Sequence, residues 1–146
     1  MKKPRIRRPV VKPIPKDNDV ITELKEILII EDNKQNIDLA VLFLKKIYKV
    51  SFAYTGEKAV EMAEKKQYSL ILTDVNLGAG IDGIQTQKII RKIPGYENIP
   101  NIVVTGYSTS EDRQRLLKEG FDDFISKPYT RVMLIQAVQR QLGKQR

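Results

Sequence analysis

Three acids, one hydroxyl and one amine stand at the points where apolar runs of the chain stop. Glu31 and Asp32 follow residues 27–30, Asp74 follows residues 70–72, Thr105 follows residues 102–104, and Lys127 comes soon after residues 124–125. Gathered at one place, three carboxylates repel each other and need a cation. Hard oxygen ligands with no histidine or cysteine suit Mg2+, or Mn2+, with several waters retained. A divalent ion together with Lys127 neutralises charge on a phosphoryl group in transfer. A carboxylate such as Asp74 is itself a nucleophile for that group, giving an aspartyl phosphate. Gly106 beside Thr105 leaves room for a phosphate near the hydroxyl. Each residue also has a plainer reading: Asp32 or Asn33 as a helix cap, Asp74 as a turn residue, Thr105 as a β-branched strand residue, Lys127 as a solvated charge. Which reading holds depends on whether the fold brings the five together.

The composition narrows the chemistry. The 146 residues contain neither cysteine nor histidine. That excludes disulfides, thiolate catalysis, a histidine base and a histidine-ligated zinc site. The length suits one domain with a real core. No stretch is long and apolar enough to span a membrane, and the basic start leads into prolines instead of a signal-peptide core, so a cytoplasmic location is expected. The net charge of +8 is unevenly spread: residues 1–16 hold seven Lys or Arg and no acid, leaving 19 basic and 18 acidic side chains in the other 130 residues. Four of the seven prolines, Pro4, Pro9, Pro13 and Pro15, lie in that same stretch. Residues 1–25 therefore read as an extended basic arm or linker, and residues 26–146 as the folded domain.

The elements that must position the five residues alternate in type. Residues 26–32, 48–55, 68–74, 99–106 and 121–128 read as strands. Residues 33–47, 56–67, 82–93, 108–120 and 129–142 read as helices, with inward positions such as Ile37, Val41 and Leu44 at helical spacing. Five strand–helix units with helices of about a dozen residues imply parallel pairing and right-handed crossovers. The fold class is α/β, a doubly wound (βα)5 with a five-stranded parallel sheet of flavodoxin type. Such sheets bind ligands at the carboxyl ends of their strands, where the strand order switches. All five candidate residues lie at those ends.

The ordered set "LIIEDN", "LILTDVNL", "IVVTGYS" and "FDDFISKPY" resembles the receiver domain of two-component response regulators, the CheY-like family, over about residues 26 to 143. The resemblance implies that Asp74 takes a phosphoryl group from a histidine kinase or histidine phosphotransfer protein, in a Mg2+-dependent reaction, and that the domain is a signalling module and not an enzyme. It implies that Asp32 ligates the metal directly, Glu31 through water, and Asn76 through its main-chain carbonyl, with Asp74 as the fourth contributor. Lys127 would contact the phosphoryl oxygens, Thr105 would move toward the phosphate, and Phe124 would change rotamer with it. The Lys127-Pro128 bond would be cis. The fourth helix, the fifth strand and the last helix would form the surface that meets a downstream protein or a second copy of the chain. Asn76 and Tyr107 would stand at the mouth of the site, with Tyr107 obstructing the water that hydrolyses the phosphate. Two departures stand out: the loop "NLGAGIDG" lacks a proline common there and is one residue longer, and the acid pair is Glu-Asp instead of Asp-Asp.

Rival readings remain. The chain could be the receiver portion of a hybrid histidine kinase. It could be a Mg2+-dependent phosphatase with an Asp nucleophile, but the place of the second, proton-donating acid holds Asn76. A nucleic-acid binder acting through the arm is disfavoured by the nearly neutral folded part, leaving at most weak contact. With nothing after Arg146 to serve as an output domain, output is expected through protein contact or on a portion outside this sequence.

Overall fold

The computed structural model describes residues 24–106 and 109–144. All but the last two residues of the expected arm, together with Tyr107 and Ser108, lie outside the described residues. Ten elements alternate among the described residues: β1 (Glu26–Ile30), α1 (Lys34–Leu44), β2 (Lys49–Ala53), α2 (Gly56–Lys65), β3 (Leu70–Asp74), α3 (Gly83–Arg91), β4 (Asn101–Thr105), α4 (Ser110–Lys118), β5 (Asp123–Ser126) and α5 (Arg131–Gly143). The strands form one parallel sheet in the order β2-β1-β3-β4-β5. The expected fold class is therefore found. The order reverses at β1, which lies between β2 and β3, so the crevice of a doubly wound sheet opens at the carboxyl ends of β1 and β3.

Alternation along the central strands divides the core. Ile27, Ile29, Leu70, Leu72, Ile102 and Val104 face α1 and α5, where Ala40, Leu44, Leu134 and Val138 meet them. Leu28, Ile30 and Ile71 face the other way, onto Ala59 and Ala63 of α2 and Ile90 of α3. A smaller cluster joins Leu116 of α4 to Val103, Phe121 and Phe124. With both faces covered, a strand slipped by one residue would exchange the two sets, so the register is fixed by packing. That fixes which residue emerges at each strand end.

The helix starts show why several boundaries shift from those read in the sequence. Asn33, Thr55, Asp82, Thr109 and Thr130 each accept a backbone N–H from the first turn. Residues counted as helical at 33, 82 and 129–130 are thus caps or the approach to one, and α4 starts at Ser110, two residues past the expected position. Asp82 forms a reciprocal capping box with Gln85. The cap of α1 is Asn33, through its side-chain oxygen to the Asn36 N–H at 2.9 Å, which leaves the Asp32 carboxylate without that duty.

Candidate functional site

Glu31 and Asp32 leave β1, Asp74 is the last residue of β3, and these strands are neighbours. Ligand oxygens of all three carboxylates lie within 4.8 Å of one another. Glu31 and Asp74 are each only 6% exposed, whereas Asp32 faces solvent. Lys127 follows β5 and extends its ammonium into the cluster, 3.2 Å from Asp74 Oδ2 and 3.4 Å from Glu31 Oε1. Its backbone is held by its own N–H to the Thr105 carbonyl at 2.8 Å, and the Lys127-Pro128 bond is cis. The remaining carboxylate oxygens are aimed by main chain: the Asn33 N–H donates to Glu31 Oε2 and the Asn76 N–H to Asp74 Oδ1, both at 3.1 Å.

Among the described residues one ammonium lies against this cluster of three carboxylates, two of which are buried. Burial, then the charge of Asp74, pushes the Glu31 carboxyl up to about 7, against the Asn33 N–H and Lys127, which act to lower it. For Lys127, burial acts to lower the ammonium, but the charges of Asp74 and Glu31 more than offset it and hold the group above its usual value. A hard divalent cation fits this donor set: three convergent carboxylates, one of them open to water and two of them buried.

Thr105, fully buried, ends β4 beside Ser126 of β5. Phe124 is buried on β5 opposite Val103, and the Arg113 guanidinium of α4 lies over its ring, 5.0 Å from the centroid. Asn76 is exposed and lies at the start of the loop that leaves Asp74. The structure thus brings Glu31, Asp32, Asp74, Asn76 and Lys127 to one crevice, with Thr105 at the adjacent strand end and Phe124 on the next strand, β5. Tyr107, expected at the mouth, lies outside the described residues.

Three residues near the site were not singled out from the sequence. Tyr129 packs edge-on against Phe43, ring centroids 6.2 Å apart, and burial, with the charges of Glu31 and Asp74, pushes its phenol up to about 12. Its position two residues after Lys127 was the only available signal. Arg113 and Glu57 gave none, because each reaches its partner across the fold: Glu57 of α2 accepts the Ile81 N–H at 3.0 Å, 24 residues away.

The family described as response regulator receiver domain matches residues 27–139. Among curated proteins, the chain is similar to the regulatory protein VanR of Enterococcus faecium, with 35% identity over 120 residues, covering 82% of this chain and 50% of that one. It is also 29% identical over 103 residues to the signal transduction histidine-protein kinase BarA of Escherichia coli, covering 70% of this chain and 11% of the kinase. The chain thus spans half of one of these relatives and about a ninth of the other. Among solved structures, it matches the receiver domain of the sensor histidine kinase PA1611 from Pseudomonas aeruginosa, which carries a magnesium ion in its active site cleft. That match has a TM-score of 0.75 and 32% identity, covering 82% of this chain and 98% of that one.

Proposed function

The chain belongs to the response regulator receiver domain family of two-component systems, and from that premise we propose that it is a phosphoryl-accepting switch whose acceptor is Asp74. The observation that carries this reading is the Asp74 carboxylate, buried at the end of β3, touching the Lys127 ammonium and clustered with two further acids. In the reaction proposed, an oxygen of Asp74 attacks the phosphorus of a phosphohistidine on a histidine kinase or phosphotransfer protein. The P–N bond breaks, the imidazole leaves with its electron pair, and Asp74 becomes an acyl phosphate. Lys127, already against Asp74, faces the phosphoryl oxygens and offsets their charge. Asp32, Asp74, the Asn76 carbonyl and, through water, Glu31 are the groups that would hold Mg2+ (or Mn2+), which when bound supplies charge neutralisation for the transferred phosphoryl group.

The output step follows from the same crevice. Thr105 carries the hydroxyl at the end of β4, the strand next to β3, and in this reading it moves toward the phosphate while Phe124 changes rotamer with it. Phe124 leads to the face made by α4, β5 and α5, which we assign as the surface for a downstream protein or for a second copy of the chain. We further assign residues 26–146 to the receiver and residues 1–25 to a basic arm or linker. The 11% coverage of BarA supports a second reading, in which the same receiver is one part of a hybrid kinase. No helix among the described residues is long and apolar enough to cross a membrane.

Intact mass after incubation with Mg2+ and a small-molecule phosphodonor tests the acceptor. One phosphoryl group is expected on the wild type and none on Asp74→Asn, because an amide is not a competent nucleophile. Phosphorylation of Asp74→Asn at the wild-type level would overturn the assignment.

A further inference from the structure

The loop that follows Asp74 is clasped at two points, and only one of them belongs to the acid cluster. At Gly78, φ is +75°, and a Cβ there would stand 2.8 Å from Asp32 Oδ2, so the bare backbone rests against that carboxylate. At Gly80, φ is +79°, and a Cβ would stand 2.5 Å from Glu57 Oε1. The next residue, Ile81, donates its N–H to Glu57 Oε2 at 3.0 Å and lays its side chain over Gly56, where a Cβ would come within 2.6 Å of Ile81 Cγ1. Leu77, 1% exposed, anchors the loop just before the first of these contacts. One short glycine-rich segment therefore spans from an acid of the site to the first turn of α2.

We infer that Glu57 is a positioning residue for the acid site: by accepting the Ile81 N–H it holds the loop down, with the Gly78 backbone against Asp32 and the Asn76 carbonyl in place. This rests on the reading of the crevice as a cation site. Glu57 is exposed and touches none of the three clustered acids among its hydrogen bonds, so it acts through the loop. Left-handed glycines at 78 and 80 let the segment lie this close to two carboxylates; without a clasp the same glycines leave it many alternative conformations. Ordering the loop before the cation arrives lowers the entropy lost on binding.

Mg2+ titration by calorimetry, at fixed pH and without phosphodonor, tests this on the full chain. Glu57→Ala removes both charge and acceptor, and is expected to weaken Mg2+ binding about three- to tenfold, the scale of one hydrogen bond. Glu57→Gln removes the charge but keeps an oxygen for the Ile81 N–H, and is expected to stay within about twofold of wild type. Gly80→Ala places a methyl on the Glu57 carboxylate and should weaken binding at least as much as Glu57→Ala. Wild-type affinity in Glu57→Ala or in Gly80→Ala overturns the inference. So does a Glu57→Gln as weak as Glu57→Ala, since the effect would then be one of charge alone. Failure of the parent reading is separate: there the wild type takes up no Mg2+, or Asp32→Ala binds it unchanged.

Discussion

The two ends of the sheet both collect acids, and they treat them in opposite ways. At the amino-terminal edge, Asp122 Oδ2 accepts from the Asn101 N–H at 2.8 Å and from Arg91 Nη2 at 3.1 Å. Beside it, Asp123 Oδ2 accepts from Gln141 Nε2 at 2.9 Å and from Arg140 Nε at 3.0 Å. Burial raises the Asp123 carboxyl, but bonds from Gln141, the Phe124 N–H and Arg140 outweigh it and hold the group below its usual value. At the carboxyl edge, two of the three clustered carboxylates share Lys127, and burial with the charge of Asp74 drives Glu31 up to about 7. The first edge is satisfied within the fold. The second leaves its acids less fully paired, which supports the reading proposed above, in which it is the working end.

The largest test of this contrast removes Lys127, the ammonium that contacts Glu31 and Asp74. Lys127→Ala should slow phosphoryl transfer about 10²- to 10³-fold, the usual cost of losing a group that stabilises developing charge. Single-turnover labelling at saturating Mg2+ measures it. A change of less than about threefold would place Lys127 outside the chemistry and reduce it to a partner for the acids.

The two edges should also answer pH with opposite slopes in metal-free protein. Between its ordinary value of 4.5 and about 7, Glu31 keeps in the fold a proton that the unfolded chain has lost. Stability therefore falls as pH rises through that window and levels off above it, by about 3 kcal/mol at most. Asp123 is lowered in the fold, so its contribution is present above the unfolded value and is lost as pH falls through the folded one. Urea titrations from pH 3 to 8 in chelator would show a rise and then a decline. Glu31→Gln should flatten the decline alone; a decline that survives it belongs to another group.

At the amino-terminal edge the loss should appear in stability and leave transfer untouched. Arg91 donates to the carbonyls of Ile99 and Gly120, both at 2.8 Å, as well as to Asp122. Arg91→Ala strands these acceptors and should cost about 1–3 kcal/mol by urea unfolding, with the rate of phosphoryl transfer within twofold of wild type. A slowed transfer at full folding would mean that the two edges are coupled through β4.

How much of this was legible in the sequence follows from the same division. Strand cores such as residues 27–30 and 70–72 are apolar on both faces, so they announced themselves, and the acids ending them were visible as interruptions. Position at a strand end is a local property, and with parallel pairing it placed Glu31, Asp32, Asp74, Thr105 and Lys127 together. The amino-terminal network was not legible, because Arg91, Asn101 and Asp122 meet only after α3 is laid against the sheet. Glu57 escaped notice for the same reason. Helix starts were misplaced by one or two residues wherever the cap itself, as at Asp82 and Thr130, was counted as helix.

The smallest expected effect is the most telling about which edge is which. Asp32 is exposed, makes none of the site's lysine contacts and does not cap α1, a task that falls to Asn33. Asp32→Ala should therefore leave the melting temperature in chelator unchanged or slightly raised, since one of three mutually repelling charges is gone. In the wild type, added Mg2+ should raise the melting temperature through preferential binding to the folded state, and in Asp32→Ala that increment should largely vanish. A paired acid gives the opposite pattern: Asp123→Ala should lower the melting temperature in chelator and keep the Mg2+ increment. If Asp32→Ala instead loses several degrees without metal, its carboxylate is a structural prop for the Gly78 loop, and the carboxyl edge is less strained than its charges imply.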